Sequence, residues 1–312
     1  MKAITINQYG DKEELKEEEL AKPEPKSDEV LIKIHAAAVN PIDWKLRYGY
    51  LKEKFPFDFP IVLGWDASGI VEKPGEDVDS FQKGDRVFVR PELTNRGTYA
   101  EYTTAKEDLI AKIPEQISFE EAAAVPLAGL TAYQCLVNVG KLESGNKVLI
   151  HAGAGGVGSF AIQIAKNMGA YVATTASTKN VEFLKSLGAD EVIDYTKDDF
   201  SQKLENYDLV IDTLGGDIQK KSFNILKKGG ILVSIVEEPD QEKADKLGVT
   251  AKFHWLIPDG EELATLAEMM ENNKLEPVVG KTFPFSEQGL KDAHELSETH
   301  HARGKIIIKV CS

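Results

Sequence analysis

Residues 151–158 read His-Ala-Gly-Ala-Gly-Gly-Val-Gly, and Gly153, Gly155 and Gly158 fall in the spacing G-x-G-x-x-G. That spacing alone is weak, because glycine is common and a glycine-rich turn needs no ligand. The flanks carry the weight. Before it, Lys147–Ile150 is a short apolar run that follows a turn-like Glu-Ser-Gly-Asn, which is how a buried parallel strand reads. After it, Phe160, Ala161, Ile164, Ala165 and Met168 recur at helical spacing, and Gly169 stands where a helix would stop. The glycines therefore join a strand to a helix, the context in which the pattern signals a dinucleotide. Gly153 would permit a tight turn and Gly155 the close approach of a pyrophosphate. Gly158 would let helix and strand pack closely. Free N–H groups and a positive dipole end at the helix start would face the phosphates.

The strand–helix rhythm continues. Residues 171–177, 191–194, 207–216, 230–236 and 249–257 read as strands, and 180–190 as a helix. With 147–150 they give six strands, and the alternation predicts a doubly wound parallel sheet.

Sheets that bind NAD usually place an acid at the end of the second strand, roughly 20 residues past the glycines, to hold the ribose 2′-hydroxyl. Here no Asp or Glu occurs from Ala170 to Val181. The segment carries Thr175, Ser177, Thr178 and Lys179 instead. An acid would repel a 2′-phosphate, whereas hydroxyls and an ammonium bind one through charge-assisted hydrogen bonds. The expected cofactor is NADPH.

A chain of 312 residues has room for two ordinary domains. Its net charge of −14 disfavours a nucleic-acid or anionic-membrane partner. No apolar run approaches the length of a membrane span. The acid-rich start lacks a secretory apolar core. Two cysteines, Cys135 and Cys311, make no disulfide framework and fit a cytoplasmic protein. None of the six histidines pairs with a cysteine at metal-site spacing.

The first part of the chain reads differently. In residues 29–40, Val30, Ile32 and Ile34 alternate with Leu31, Lys33 and His35. Short strands bounded by Gly and Pro, with little helix, suggest an irregular β-barrel or sandwich. A boundary is expected near residue 120, where the sequence turns helical. Residues 304–310 are again β-like and are expected to return to the first domain. The expected division is 1–120, 121–259 and 260–312.

Several stretches together resemble one family: AAAVNPIDWKLRYG, PIVLGWDASGIVEKPGEDV, FQKGDRV, GTYAEY, GLTAYQ, HAGAGGVGSFAIQIAK, LGADEVIDY and HARGKIII, in this order. The chain is similar to the zinc-independent quinone oxidoreductase branch of the medium-chain dehydrogenases/reductases along nearly its whole length. The resemblance implies an α/β fold: a Rossmann doubly wound parallel sheet domain plus a GroES-like irregular β-barrel domain. Zinc-dependent members hold a catalytic metal with a Cys, a G-H-E motif and a second Cys. Those positions here carry Asn40, Gly64-Trp65-Asp66 and Leu127, and Asn, Trp and Leu do not supply the sulfur and nitrogen donors zinc needs. A metal-free enzyme is expected.

The resemblance also implies roles. Gly155, Gly156, Val157 and Gly158 would hold the pyrophosphate, and Ser177, Lys179 and Tyr195 would surround the 2′-phosphate. Thr131, Leu214 and Gly215 would lie near the nicotinamide, and Phe253 near its carboxamide. Asn40 and Asp43 would shape the site floor, although Asp43 reads equally as a structural hydrogen bond inside its turn. Tyr50 is the candidate proton donor, but many relatives carry that tyrosine one position later, where Leu51 stands. The implied reaction is hydride transfer from NADPH to a quinone or similar conjugated carbonyl by a homodimer. The alternatives are an enoyl or alkenal double-bond reductase and, from another class, a non-enzymatic nucleotide- or RNA-binding role.

Overall fold

The computed structural model describes residues 1–311, in two compact units. The first comprises Met1–Leu130, Pro258–Asn273 and Pro277–Ser312. Its spine is the strand Glu29–Val39, which pairs antiparallel with Ala67–Pro74, Tyr102–Lys106 and Lys305–Lys309. Register shifts at Leu31/Ile32 and Ile34/Ala36 mark bulges, which bend and twist a strand so that it can serve several partners. Val30, Ile32 and Ile34 pack with Val71, Val87, Val89 and Ala105 in one apolar core, as the alternation requires. Leu31, on the other face, is buried as well. The division between units falls after Leu130 rather than near 120. The helix Phe119–Ala123 buries Ala122 and Ala123, and it packs on the strands Glu29–Val39, Ala67–Pro74 and Lys305–Lys309.

The second unit comprises Thr131–Ile257 and Lys274–Glu276. Six parallel strands lie in the order Glu191–Asp194, Tyr171–Ala176, Lys147–Ile150, Tyr207–Asp212, Leu226–Ser234, Thr250–Phe253. This is the doubly wound order, which reverses between Lys147–Ile150 and Tyr207–Asp212 and places a ligand crevice beyond the carboxyl ends there. The last strand stops at Phe253, short of the 249–257 read from apolar character. The Gln134 amide captures the backbone downstream: Nε2 donates to the Ile257 carbonyl at 2.7 Å, and Oε1 accepts from the Ile257 N–H at 3.2 Å. His254 N–H still donates to the Ser234 carbonyl at 2.8 Å; beyond it the Gln134 amide holds the Ile257 backbone, and the Ile257 side chain is exposed despite its apolar character.

Candidate active site

The glycine turn shows what each small residue is for. Ala152, with φ of 51°, takes the left-handed position of the turn, so Gly153 is not the tight-turn residue expected. A Cβ on Gly153 would stand 2.1 Å from Thr174 Oγ1, which makes it a strand-packing glycine. A Cβ on Gly158 would lie 2.5 Å from the Ala152 carbonyl and 2.6 Å from Gly153 Cα, so the helix can approach the turn only with glycine there. Gly155 differs: its Cβ would meet one atom, the Ala152 carbonyl oxygen, at 3.3 Å. That single contact is tight, and no other atom outside the adjacent residues lies within 4 Å, so most of the space in front of Gly155 is unfilled. Gly155 is also the N-cap of the helix Gly156–Asn167 and brings no side chain to its free N–H groups. An open cradle in front of a bare helix N-terminus fits a pyrophosphate.

All the residues assigned to the cofactor lie in the second unit, mostly in loops at the carboxyl ends of its strands. Tyr195 N–H donates to the Ala176 carbonyl at 3.0 Å, which brings the loop holding Tyr195 beside the one holding Ser177 and Lys179. Leu214 and Gly215 are fixed by Asp212, whose Oδ1 accepts both backbone N–H groups at 3.0 and 2.9 Å. Gly215 has φ of 72°, a conformation that favours glycine. Thr131 is buried in the helix Pro126–Tyr133, just before the π-helical stretch Gln134–Val139. Such widened turns recur at functional sites. Phe253 ends the last strand, its ring 6.5 Å from that of Trp255.

The catalytic candidates lie in the first unit, where the sequence conceals a buried polar system. Asp66 is fully buried; its Oδ1 accepts the Leu127 N–H at 2.8 Å, and its Oδ2 accepts the Asn40 amide at 2.8 Å and the Lys305 ammonium at 3.2 Å. Lys305 also donates to Asn40 Oδ1, which fixes the orientation of that amide. Burial raises the carboxyl pKa of Asp66, against the lowering effect of Lys305. Asp43 caps the helix Pro41–Arg47, its Oδ2 accepting from the Asn40 N–H at 2.8 Å and from the Tyr99 phenol at 2.7 Å. Burial pushes Asp43 up to about 7. Behind Tyr99 stands His294 at 3.2 Å, and behind His294 stands Arg47 at 2.8 Å. A guanidinium only donates, so His294 Nδ1 accepts from Arg47, and Nε2 carries the hydrogen toward Tyr99. Burial and the Arg47 charge hold His294 down at about 3. Tyr50 lies outside this system. It is 68% exposed, stacked on Tyr48 at 5.4 Å and edge-on to Trp44 at 6.4 Å.

Sequence reading missed Lys305, Tyr99, His294 and Arg47, which are brought together from distant segments. One signal was present: Lys305 opens the run Lys-Ile-Ile-Ile of a strand with an apolar pattern, and a lysine buried there requires an acceptor.

This donor set does not fit a zinc ion. Trp65 is buried with its indole N–H unpartnered, Leu127 offers a backbone N–H, and an ammonium already bridges Asn40 and Asp66. Among the described residues no cluster of three or more His, Cys, Asp or Glu is placed to hold a metal.

Family models match in three segments: alcohol dehydrogenase GroES-like domain over 26–115, alanine dehydrogenase/PNT C-terminal domain over 131–228, and zinc-binding dehydrogenase over 187–308. A 2-methylene-furan-3-one reductase of Solanum lycopersicum is 39% identical, across 99% of this chain and 79% of its own length. The chloroplastic NADPH-dependent alkenal/one oxidoreductase of Arabidopsis thaliana is 37% identical over the same shares. The solved quinone oxidoreductase from Coxiella burnetii is 40% identical and superposes with a TM-score of 0.93, covering 100% of this chain and 99% of its own. The chain belongs to the medium-chain dehydrogenase/reductase superfamily, with the quinone oxidoreductase-type reductases.

Proposed function

We propose that this protein transfers hydride from NADPH to a conjugated carbonyl, either a quinone or an α,β-unsaturated ketone or aldehyde. The observation that carries the reading is the glycine turn: its largely unfilled face at Gly155 precedes an uncapped helix, and the next strand, which ends at Ala176, is followed by Ser177 and Lys179 with no acid between residues 170 and 181. The double-bond reading draws on the two curated relatives, and the quinone reading on the solved one.

When bound, the cofactor supplies the hydride. The N–H groups of Gly156, Val157 and Gly158, with the space at Gly155 and the packing at Gly153, hold the pyrophosphate. Ser177, Lys179 and Tyr195 hold the 2′-phosphate. Thr131, Leu214, Gly215 and Phe253 orient the nicotinamide. Asn40 and Asp43 shape the floor beneath the substrate, and the Tyr50 hydroxyl or solvent gives the proton. A conjugated acceptor spreads incoming charge onto its own oxygen, so orientation and a dry pocket suffice without a Lewis acid.

The edge strand Thr250–Phe253 leaves one row of backbone groups without a strand partner among the described residues, and pairing across a two-fold axis would make a homodimer. No described helix is long and apolar enough to cross a membrane. The placement in the cytoplasm rests on the cysteine content, two residues that form no disulfide framework. The test is steady-state NADPH oxidation against a quinone panel and an enal/enone panel, with RNA binding measured in parallel. Turnover with either panel supports the reading. No turnover with either, together with RNA binding, would replace it.

A further inference from the structure

Asp194 ends the strand Glu191–Asp194, where its Cα is paired with that of Ala176. Its side chain is only 9% exposed. Oδ2 accepts the Thr178 hydroxyl at 2.5 Å and the Lys197 ammonium at 3.1 Å. Oδ1 accepts the Thr196 N–H at 3.1 Å and its hydroxyl at 2.7 Å. These hydrogen bonds hold Asp194 well below the usual carboxylate range, those from Thr178 and Thr196 first. The sequence shows no acid near Ser177, yet strand pairing sets a charged carboxylate between the loop of Ser177 and Lys179 and the loop of Tyr195. Its effect on the cradle is twofold. The Thr178 hydroxyl hydrogen is committed to Asp194 and is not available to a phosphate. The fixed negative charge, partly balanced by Lys197, opposes a second anion nearby.

We propose that Asp194 sets the strength of cofactor discrimination in this protein, limiting affinity for the 2′-phosphate by its charge and by withdrawing Thr178 from the donor set. The inference rests on the assignment of Ser177, Lys179 and Tyr195 to that phosphate. Asp194→Asn keeps the shape and can be satisfied. Its carbonyl accepts from Thr196, its amide donates to the Thr178 oxygen, and Thr178 is freed to turn its own hydrogen outward.

The experiment is calorimetric titration of NADP⁺ and of NAD⁺ into the wild-type chain, D194N, T178V and the double variant, at low and raised ionic strength. In D194N, NADP⁺ should bind about three- to tenfold tighter, the gain shrinking with salt, while NAD⁺ is unchanged. T178V alone should leave NADP⁺ affinity as it is, because its hydrogen is already used. In the D194N background T178V should remove part of the gain. An unchanged or weakened NADP⁺ affinity in D194N with NAD⁺ binding intact would overturn the inference alone. So would a severalfold NADP⁺ loss in T178V, which reads Thr178 as a phosphate donor and needs no Asp194 variant to fold. Equal wild-type affinity for the two cofactors would overturn both the inference and the phosphate assignment beneath it.

Discussion

Arg47 and His294 meet at 2.8 Å in a fully buried contact, the guanidinium donating and the imidazole accepting. The direction propagates: His294 donates to Tyr99, and Tyr99 to Asp43. Every hydrogen in this chain therefore points toward the carboxylate, and because Arg47 does not release a proton, the chain orients groups rather than conducting protons.

Opposed pH dependences follow. Asp43 is raised from 3.8 to about 7, so the folded state binds more protons than the unfolded state in that interval, and stability falls as pH rises through it. His294 is lowered from 6.5 to about 3, so the unfolded state binds more protons, and stability rises with pH between those values. Each slope is at most about 1.4 kcal/mol per pH unit. In the wild-type chain they offset between about pH 4 and 6.5. Urea denaturation across that range should give a rising stability for Asp43→Asn, a falling one for His294→Gln and a flatter one for the parent. Three parallel curves would refute the assignment.

The glycines should separate fold from cofactor. Gly158→Ala drives a methyl into the backbone at Ala152 and Gly153, and overpacking of this kind costs typically 1–3 kcal/mol. Gly155→Ala meets only one atom, a backbone oxygen at 3.3 Å, and should lower the melting temperature less than Gly158→Ala while weakening NADPH binding at least about tenfold. Melting curves with and without NADPH distinguish the two. Equal stability loss in both variants would remove the argument for an open cradle.

Cofactor choice is tested at Ser177. Ser177→Asp removes a donor and sets a carboxylate against the 2′-phosphate, while offering that carboxylate to the NADH ribose. The kcat/KM values for NADPH and NADH should move in opposite directions. Losing Lys179 should weaken NADPH about tenfold and barely touch NADH, a charged hydrogen bond being worth about 1.5 kcal/mol at the screened end of its range. A parallel loss of both cofactors in Ser177→Asp would mean the phosphate is read elsewhere.

Lys305→Met leaves the Asp66 carboxylate buried without its cation. Breaking one side of a buried pair costs about 3–5 kcal/mol. Adding Asp66→Asn should recover much of that loss, and a double-mutant cycle by chemical denaturation measures it. Additive losses would show that the two charges do not depend on each other.

Metal content is the simplest check. Elemental analysis of the active protein should find no stoichiometric zinc, and chelators should leave NADPH oxidation unaffected. One tightly held zinc per chain, removable only with activity, would contradict the donor set at Asn40, Trp65 and Leu127.

The sequence by itself determined the elements whose information is local. The glycine turn was legible because strand, turn and helix lie within a few dozen residues and each has its own period. The strands Lys147–Ile150 and Glu191–Asp194 fall at the residues read from apolar character. The missing acid after the second strand was also local. Only the tertiary structure decided what depends on neighbours far along the chain. It gave the left-handed turn to Ala152 rather than Gly153, and it put Thr174 where a side chain on Gly153 would stand. It ended the last strand at Phe253 and gave the Ile257 backbone to Gln134, a side chain more than 100 residues earlier. It placed Asp194 against Thr178 through strand pairing, an acid that no window around Ser177 contains. It joined Lys305 to Asp66 and His294 to Arg47 across more than 200 residues. Periodicity reports which face of an element is apolar. It does not report which buried charge finds which partner, since that is settled when separate strands and helices close around the same space.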